Sequence, residues 1–325
     1  MTRCMLNSMG GLVTAAAMLW PAMGSLNAQG GAAPAPAAKP VASAAAKNWV
    51  PPRTPDGQPD IQGMWIADDW GKPLEARLAP PPRAGAAPAP AAASGAGPST
   101  DDIWVDVKTT ADKRPMIVDP PDGRIPWLPW AAKAKEYVTK VQGTQGTVVP
   151  LFLDPATKCL PYGVPRSNSP NPYSGYQFMQ RAGAVVIYYE QGHQFRVIPL
   201  DDRPRPSKKL SLWMGTSRGR WEGNTLVVDV TNLTGRTWIF GRSASQVSAP
   251  FHSDAIHVVE KFIFSDANTV MYEATIEDPN VYSRPWTIGV KAFVRAPADY
   301  QVFEYACVEG NKSYSLIKTG NESSK

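Results

Sequence analysis

Residues 256–294 carry the pattern that decides the fold: Ile256-His257-Val258-Val259-Glu260-Lys261-Phe262-Ile263-Phe264, Ser265-Asp266-Ala267-Asn268, Thr269-Val270-Met271-Tyr272-Glu273-Ala274-Thr275-Ile276-Glu277, Asp278-Pro279-Asn280, then a third apolar run over 282–294. Runs rich in β-branched and aromatic residues, divided by Ser, Asp, Asn and Pro, are strands joined by tight turns. Working outward, the habit recurs at 184–189, 193–200, 225–232 and 302–308, with breaks at Gln191-Gly192 and Glu222-Gly223-Asn224. Antiparallel strands with no helix between them predict an all-β domain, either a closed β-barrel or a β-sandwich. Toward the N-terminus, Pro51 to Gly63 is a Pro/Asp/Gly turn cluster that opens into a short strand at Gly63-Met64-Trp65. Residues 115–130 read as an extended arm laid across a surface, and 131–141 is the one convincing helical stretch. Few helices are therefore expected.

The chain has 325 residues, 43% of them hydrophobic and 19% charged, which is enough apolar material for a core. Its 33 Lys and Arg against 28 Asp and Glu leave a net charge of +5. So mild an excess excludes a phosphate-tracking surface, and no nucleic-acid partner is expected. Arg3, the short apolar run Gly10 to Trp20 and the small residues up to Ala28 have the layout of a Sec-type signal peptide over 1–28. That run is too short to span a bilayer and no later one reaches the needed length, so a protein exported to the bacterial periplasm or secreted, with no integral membrane segment, is expected. Ala/Pro-rich tracts make 29–47 a linker and 79–99 an inserted loop within a single β domain over 48–320, followed by a tail at 321–325. Cleavage of the leader removes Cys4 and leaves Cys159 and Cys307 in an oxidising compartment, as a disulfide or as two buried thiols.

Several chemistries lack their residues. There is no His-Glu-x-x-His, no Cys-x-x-Cys, no phosphate-binding Gly loop and no Gly-x-Ser-x-Gly elbow, so neither a metal nor a cofactor is expected. Strand parity offers more. Glu260 shares a face with Ile256, Val258, Phe262 and Phe264, where an ionised carboxylate needs a cation or takes a raised pKa suited to general acid–base work. Extrapolated along 282–294, Arg284 shares parity with Tyr282, Trp286 and Ile288 and is the expected partner. His193, as a catalytic group or a solvent-facing cap, and His257 complete the candidate catalytic set. Arg196 shares parity with Ile198, and together with Tyr188, Trp213, Tyr272, Trp286 and Tyr305 it forms the candidate ligand-binding set. The same aromatic residues are equally a core.

The ordered blocks Pro52-Arg53-Thr54-Pro55-Asp56-Gly57, Val118-Asp119-Pro120-Pro121-Asp122-Gly123-Arg124-Ile125-Pro126, Arg218-Gly219-Arg220-Trp221-Glu222-Gly223-Asn224-Thr225-Leu226-Val227-Val228 and Tyr305-Ala306-Cys307-Val308-Glu309-Gly310-Asn311 resemble a large uncharacterised family of exported bacterial proteins. Gly63-Met64-Trp65 is similar to the Gly-x-Trp opening of lipocalin-like barrels. The resemblance implies export, a paired Cys159 and Cys307 and an antiparallel lipocalin-like β-barrel with an extended N-terminal arm; it implies no activity. The function expected is binding of a hydrophobic or aromatic small molecule, with cofactor-free acid–base chemistry of lyase, isomerase or hydratase type. A non-catalytic carrier and an envelope interaction protein are the alternatives. Oligomeric state is not legible.

Overall fold

Among the described residues ten strands form, most of them where β-branched and aromatic residues recur: β1 (Gly63–Ala67), β2 (Ile117–Asp119), β3 (Gly175–Arg181), β4 (Ala184–Tyr189), β5 (Gln194–Pro199), β6 (Thr216–Glu222), β7 (Thr225–Thr231), β8 (His257–Asp266), β9 (Thr269–Glu277) and β10 (Trp286–Arg295). This computed structural model describes residues 49–68, 72–76, 112, 114–143, 154–169, 175–240 and 250–309. The expected leader at 1–28, the linker at 29–47, the loop at 79–99 and the tail at 321–325 fall on residues outside that set. The helix α1 (Pro129–Gly143) and two 3₁₀ turns, Pro155–Lys158 and Arg166–Asn168, are the helical elements among the described residues.

The strands run antiparallel in the order β5-β4-β3-β1-β10-β9-β8-β7-β6, with the short β2 of the arm added to β10. The two end strands then meet and nearly close the sheet into a barrel rather than a sandwich. Side chains make the seam: Arg196 Nε on β5 donates to Ser217 Oγ on β6 at 2.9 Å. Gly219 on β6 leaves room for Ile198 and Leu200, since a Cβ there would lie 2.7 Å from each.

Inward residues of β8 alternate with outward ones as the period of a half-buried strand requires, placing Val258, Glu260, Phe262 and Phe264 inside. Rings from strands that are not neighbours meet across the interior. Trp65 on β1 touches Phe264 on β8 edge-on at 5.9 Å, and Tyr176 on β3 meets Phe293 on β10 at 4.5 Å. Such edge-to-face contacts add to the burial of large apolar surfaces.

Three expectations change. Residues 302–308 form no strand; their backbone is irregular and Val302, Phe303 and Val308 are exposed. The strand expected at 282–294 starts only at Trp286, because Asp278 to Tyr282 make a turn and Pro285 has no amide hydrogen to donate. β3 and β6 were not anticipated: their sequences, Gly175 to Arg181 and Thr216 to Glu222, contain few β-branched residues.

Candidate functional site

Glu260 is wholly buried, and its carboxylate is the centre of a polar cluster inside the barrel. Arg196, 2% exposed, reaches it from β5 with Nη1 at 3.2 Å from Oε1 and with Nη2 on Oε2. Tyr272 Oη donates to Oε1 at 2.6 Å and Asn168 Nδ2 at 2.7 Å. Tyr189 Oη donates to Asn168 Oδ1 at 3.0 Å. Parity placed Glu260 on this face, but its partner is Arg196 from the opposite wall. Burial opposes the charge on Arg196, yet Glu260 beside it holds the guanidinium above its ordinary pKa. Burial pushes Tyr189 up to about 12 and Tyr272 well above its usual range, with the Glu260 charge adding to both. These phenols are therefore donors at neutral pH, and four donor contacts converge on the carboxylate, three on Oε1 and one on Oε2. The cluster has the form of a compensated buried ion pair.

The other expected catalytic groups lie outside the barrel. Arg284 pairs with Asp119 Oδ2 at 3.0 Å, its side chain 41% exposed; the Glu260–Arg284 pairing is corrected, because Arg284 sits in the turn before Pro285, where strand parity does not extend. His193 does not begin a strand. It holds φ 49° in the turn between β4 and β5, accepts the Tyr305 amide at 2.8 Å through Nε2 and stacks on Tyr188 at 6.3 Å. His257 faces Asp229 Oδ2 at 2.9 Å and Glu277 on the outer wall. The structure thus does not bring His193, His257 and Arg284 to Glu260.

The expected ligand-binding residues also separate. Arg196 and Tyr272 belong to the buried cluster. Tyr188 packs with Phe195 at 4.9 Å on the outer wall, and Tyr305 is half-buried beside His193. Trp286 is fully buried against Tyr282 at 5.4 Å, in a second aromatic cluster with Trp127 and Phe251.

Tyr272 contributes to the lining of a smaller cavity of about 230 Å³ between the arm and β9–β10, while Trp213 borders an open cleft of about 620 Å³. It is built by three segments at one end of the barrel: Ser211 and Trp213 before β6, Thr234 to Arg236 after β7, and His252 to Asp254 before β8. The first two are tied together by the Leu212 amide on Asn232 O and the Thr234 amide on Leu212 O, both 2.9 Å. The third is anchored by Asp278, which accepts the Ser253 amide at 2.6 Å and its hydroxyl at 2.9 Å.

His252, 4% exposed, forms the floor. Its Nδ1 lies 2.9 Å from the Ser253 carbonyl, which can only accept, so Nδ1 carries the hydrogen. Nε2 then accepts from the Thr237 hydroxyl at 2.7 Å. Burial holds the His252 pKa below its usual value, so the ring is uncharged. Sequence reading assigned no role to His252, Arg236 or Asp254, because the cleft is made by loops with no periodicity to read.

A disulfide joins Cys159 to Cys307 across 148 residues and ties the irregular C-terminal segment to the loop that delivers Asn168 to Glu260. Tyr300 Oη reinforces the segment by donating to Glu190 at 2.6 Å. Among the described residues no group of three or more His, Cys, Asp or Glu side chains is placed to hold a metal ion, and no helix is long and apolar enough to cross a membrane. No protein-family model matches the chain, and no curated protein matches it.

Proposed function

We propose that this protein is an exported β-barrel that binds a small molecule with a flat aromatic part in the cleft beside Trp213. The cleft itself carries the reading: about 620 Å³ of open space stands next to an indole and a neutral imidazole, within the size range of small-molecule sites. The barrel interior, by contrast, is filled by its own rings. Binding rather than acid–base turnover is favoured, because Glu260 is wholly buried and already engaged by Arg196, Tyr272 and Asn168. Export is supported by the leader-like residues 1–28 and by the Cys159–Cys307 bond. The ordered motifs from Pro52 to Asn311 support membership of the uncharacterised exported family.

The test is calorimetric titration of the mature protein with 2-naphthol, a neutral aromatic probe, alongside mass spectrometry of small molecules released from the purified protein. Trp213→Ala is expected to weaken naphthol binding at least about tenfold, the loss of one stacked ring. Binding that Trp213→Ala leaves unchanged, or no binding at all, refutes the placement in this cleft.

A further inference from the structure

Two opposite charges in the cleft do not pair with each other. Arg236 and Asp254 both border it, both are exposed, and neither makes an ion pair with any described residue. Asp254 is held in place by its own loop contact: its Oδ1 accepts the Gly235 amide at 2.6 Å, which leaves Oδ2 for another donor. Since Gly235 precedes Arg236, that bond fixes the carboxylate against the backbone segment that carries Arg236, and no ion pair joins the two side chains. His252 adds no charge, both its ring nitrogens being used within the protein. Among the described residues, the electrostatic character of the cleft is therefore that of one cation and one anion without an ion-pair partner beside an indole.

From this arrangement we infer that the ligand class is a zwitterion with an aromatic ring, such as a free aromatic α-amino acid: its carboxylate on Arg236, its ammonium on Asp254 and its ring on Trp213. The inference rests on the cleft being the binding site. A guanidinium presents a planar fork that matches a carboxylate, and a carboxylate accepts from an ammonium, so each end of such a ligand meets a group of the right sign and geometry. An aromatic anion would gain one contact and face Asp254 with a like charge; an aromatic cation would meet the mirror of that problem. A neutral aromatic gains only the ring. Specificity arises from the wrong-charge penalties as much as from the matched contacts.

Four probes of one shape separate these cases: tryptophan, tryptophan amide, N-acetyltryptophan and N-acetyltryptophan amide, which are zwitterion, cation, anion and neutral. Titrated into the mature protein at low ionic strength, tryptophan is expected to bind tightest, by about fivefold for each matched charge, the upper end for solvent-exposed pairs. Arg236→Gln should make tryptophan and its amide equal, and Asp254→Asn, which keeps an acceptor for the Gly235 amide, should make tryptophan and N-acetyltryptophan equal. If the neutral N-acetyltryptophan amide binds as tightly as tryptophan, and Trp213→Ala weakens both, the zwitterion inference fails while the cleft stands as an aromatic site. If none of the four binds, and 2-naphthol does not either, the proposed site and the inference fall together.

Discussion

Replacing Glu260 by Gln removes one charge from the centre of the barrel and leaves the other. The native carboxylate takes two contacts from Arg196, one from Tyr272 and one from Asn168. A glutamine keeps one acceptor oxygen, and its NH₂ group faces the guanidinium donors. Arg196 stays 98% out of solvent with Ser217 Oγ, a neutral acceptor at 2.9 Å, as its surviving side-chain partner outside the cluster of phenols and amide. Removing one member of a buried ion pair costs about 3–5 kcal/mol, a large part of the roughly 5–15 kcal/mol by which domains are stable. Arg196→Met strands the opposite charge and is expected to cost about as much. The double variant, Arg196→Met with Glu260→Gln, strands neither, so its loss should fall short of the sum by at least about 2 kcal/mol. Urea unfolding under non-reducing conditions, followed by tryptophan fluorescence, measures all four states of the cycle. The exposed pair supplies the control: Arg284→Ala should lose less than about 1 kcal/mol. Single losses below about 1 kcal/mol at Glu260 and Arg196, or additivity within about 0.5 kcal/mol, would refute the view that this cluster is a structural ion pair.

Other outcomes follow from the same contacts. Burial holds folded His252 below its unfolded pKa of about 6.5, so on acidification the unfolded chain takes up the proton first; the His252 contribution is full above that pH and is lost as pH falls toward the folded value, by up to about 1.4 kcal/mol per pH unit. His252→Gln should flatten the slope of stability against pH below about 6.5, and an unchanged slope would remove His252 from the linkage. Cys159→Ser with Cys307→Ser opens a loop of 148 residues, worth about 5 kcal/mol of chain entropy, and should free 297–309 to limited proteolysis; an unchanged urea midpoint would count against the bond as a global brace. Gly219→Val drives a side chain into Ile198 and Leu200 at the β5–β6 seam and is expected to cost about 2 kcal/mol by chemical denaturation, with a loss under about 0.5 kcal/mol showing that the seam is slack.

How far these features were legible depends on whether they arise within one strand or between distant ones. The β8 and β9 runs could be read directly, since alternation with period two is a property of the strand itself, and it put Glu260 on the buried face before any pairing was known. The same reasoning failed at Arg284, because parity is meaningful only inside a continuous strand and the turn before Pro285 breaks it. It failed again at 302–308, where Val302, Ala306 and Val308 alternate with Phe303, Tyr305 and Cys307 yet the backbone is held by a disulfide and a Tyr300–Glu190 bond rather than by a ladder.

The partner of Glu260 was present among the inward residues, as Arg196 sharing parity with Ile198, but β5 and β8 lie at different places in the sheet and meet only when the barrel wraps. Which inward cation faces which inward anion depends on closure, and closure here is made by Arg196, Ser217 and the small Gly219, residues that carry no strand signal. The cleft is a further step removed. Trp213, Arg236 and Asp254 come from three connections that converge because β6 and β8 begin, and β7 ends, at the same barrel end. Antiparallel order therefore gathers loop residues that lie far apart in the chain, and the chemistry of the open site is set by those loops while the strands beneath them supply a packed, charge-compensated support.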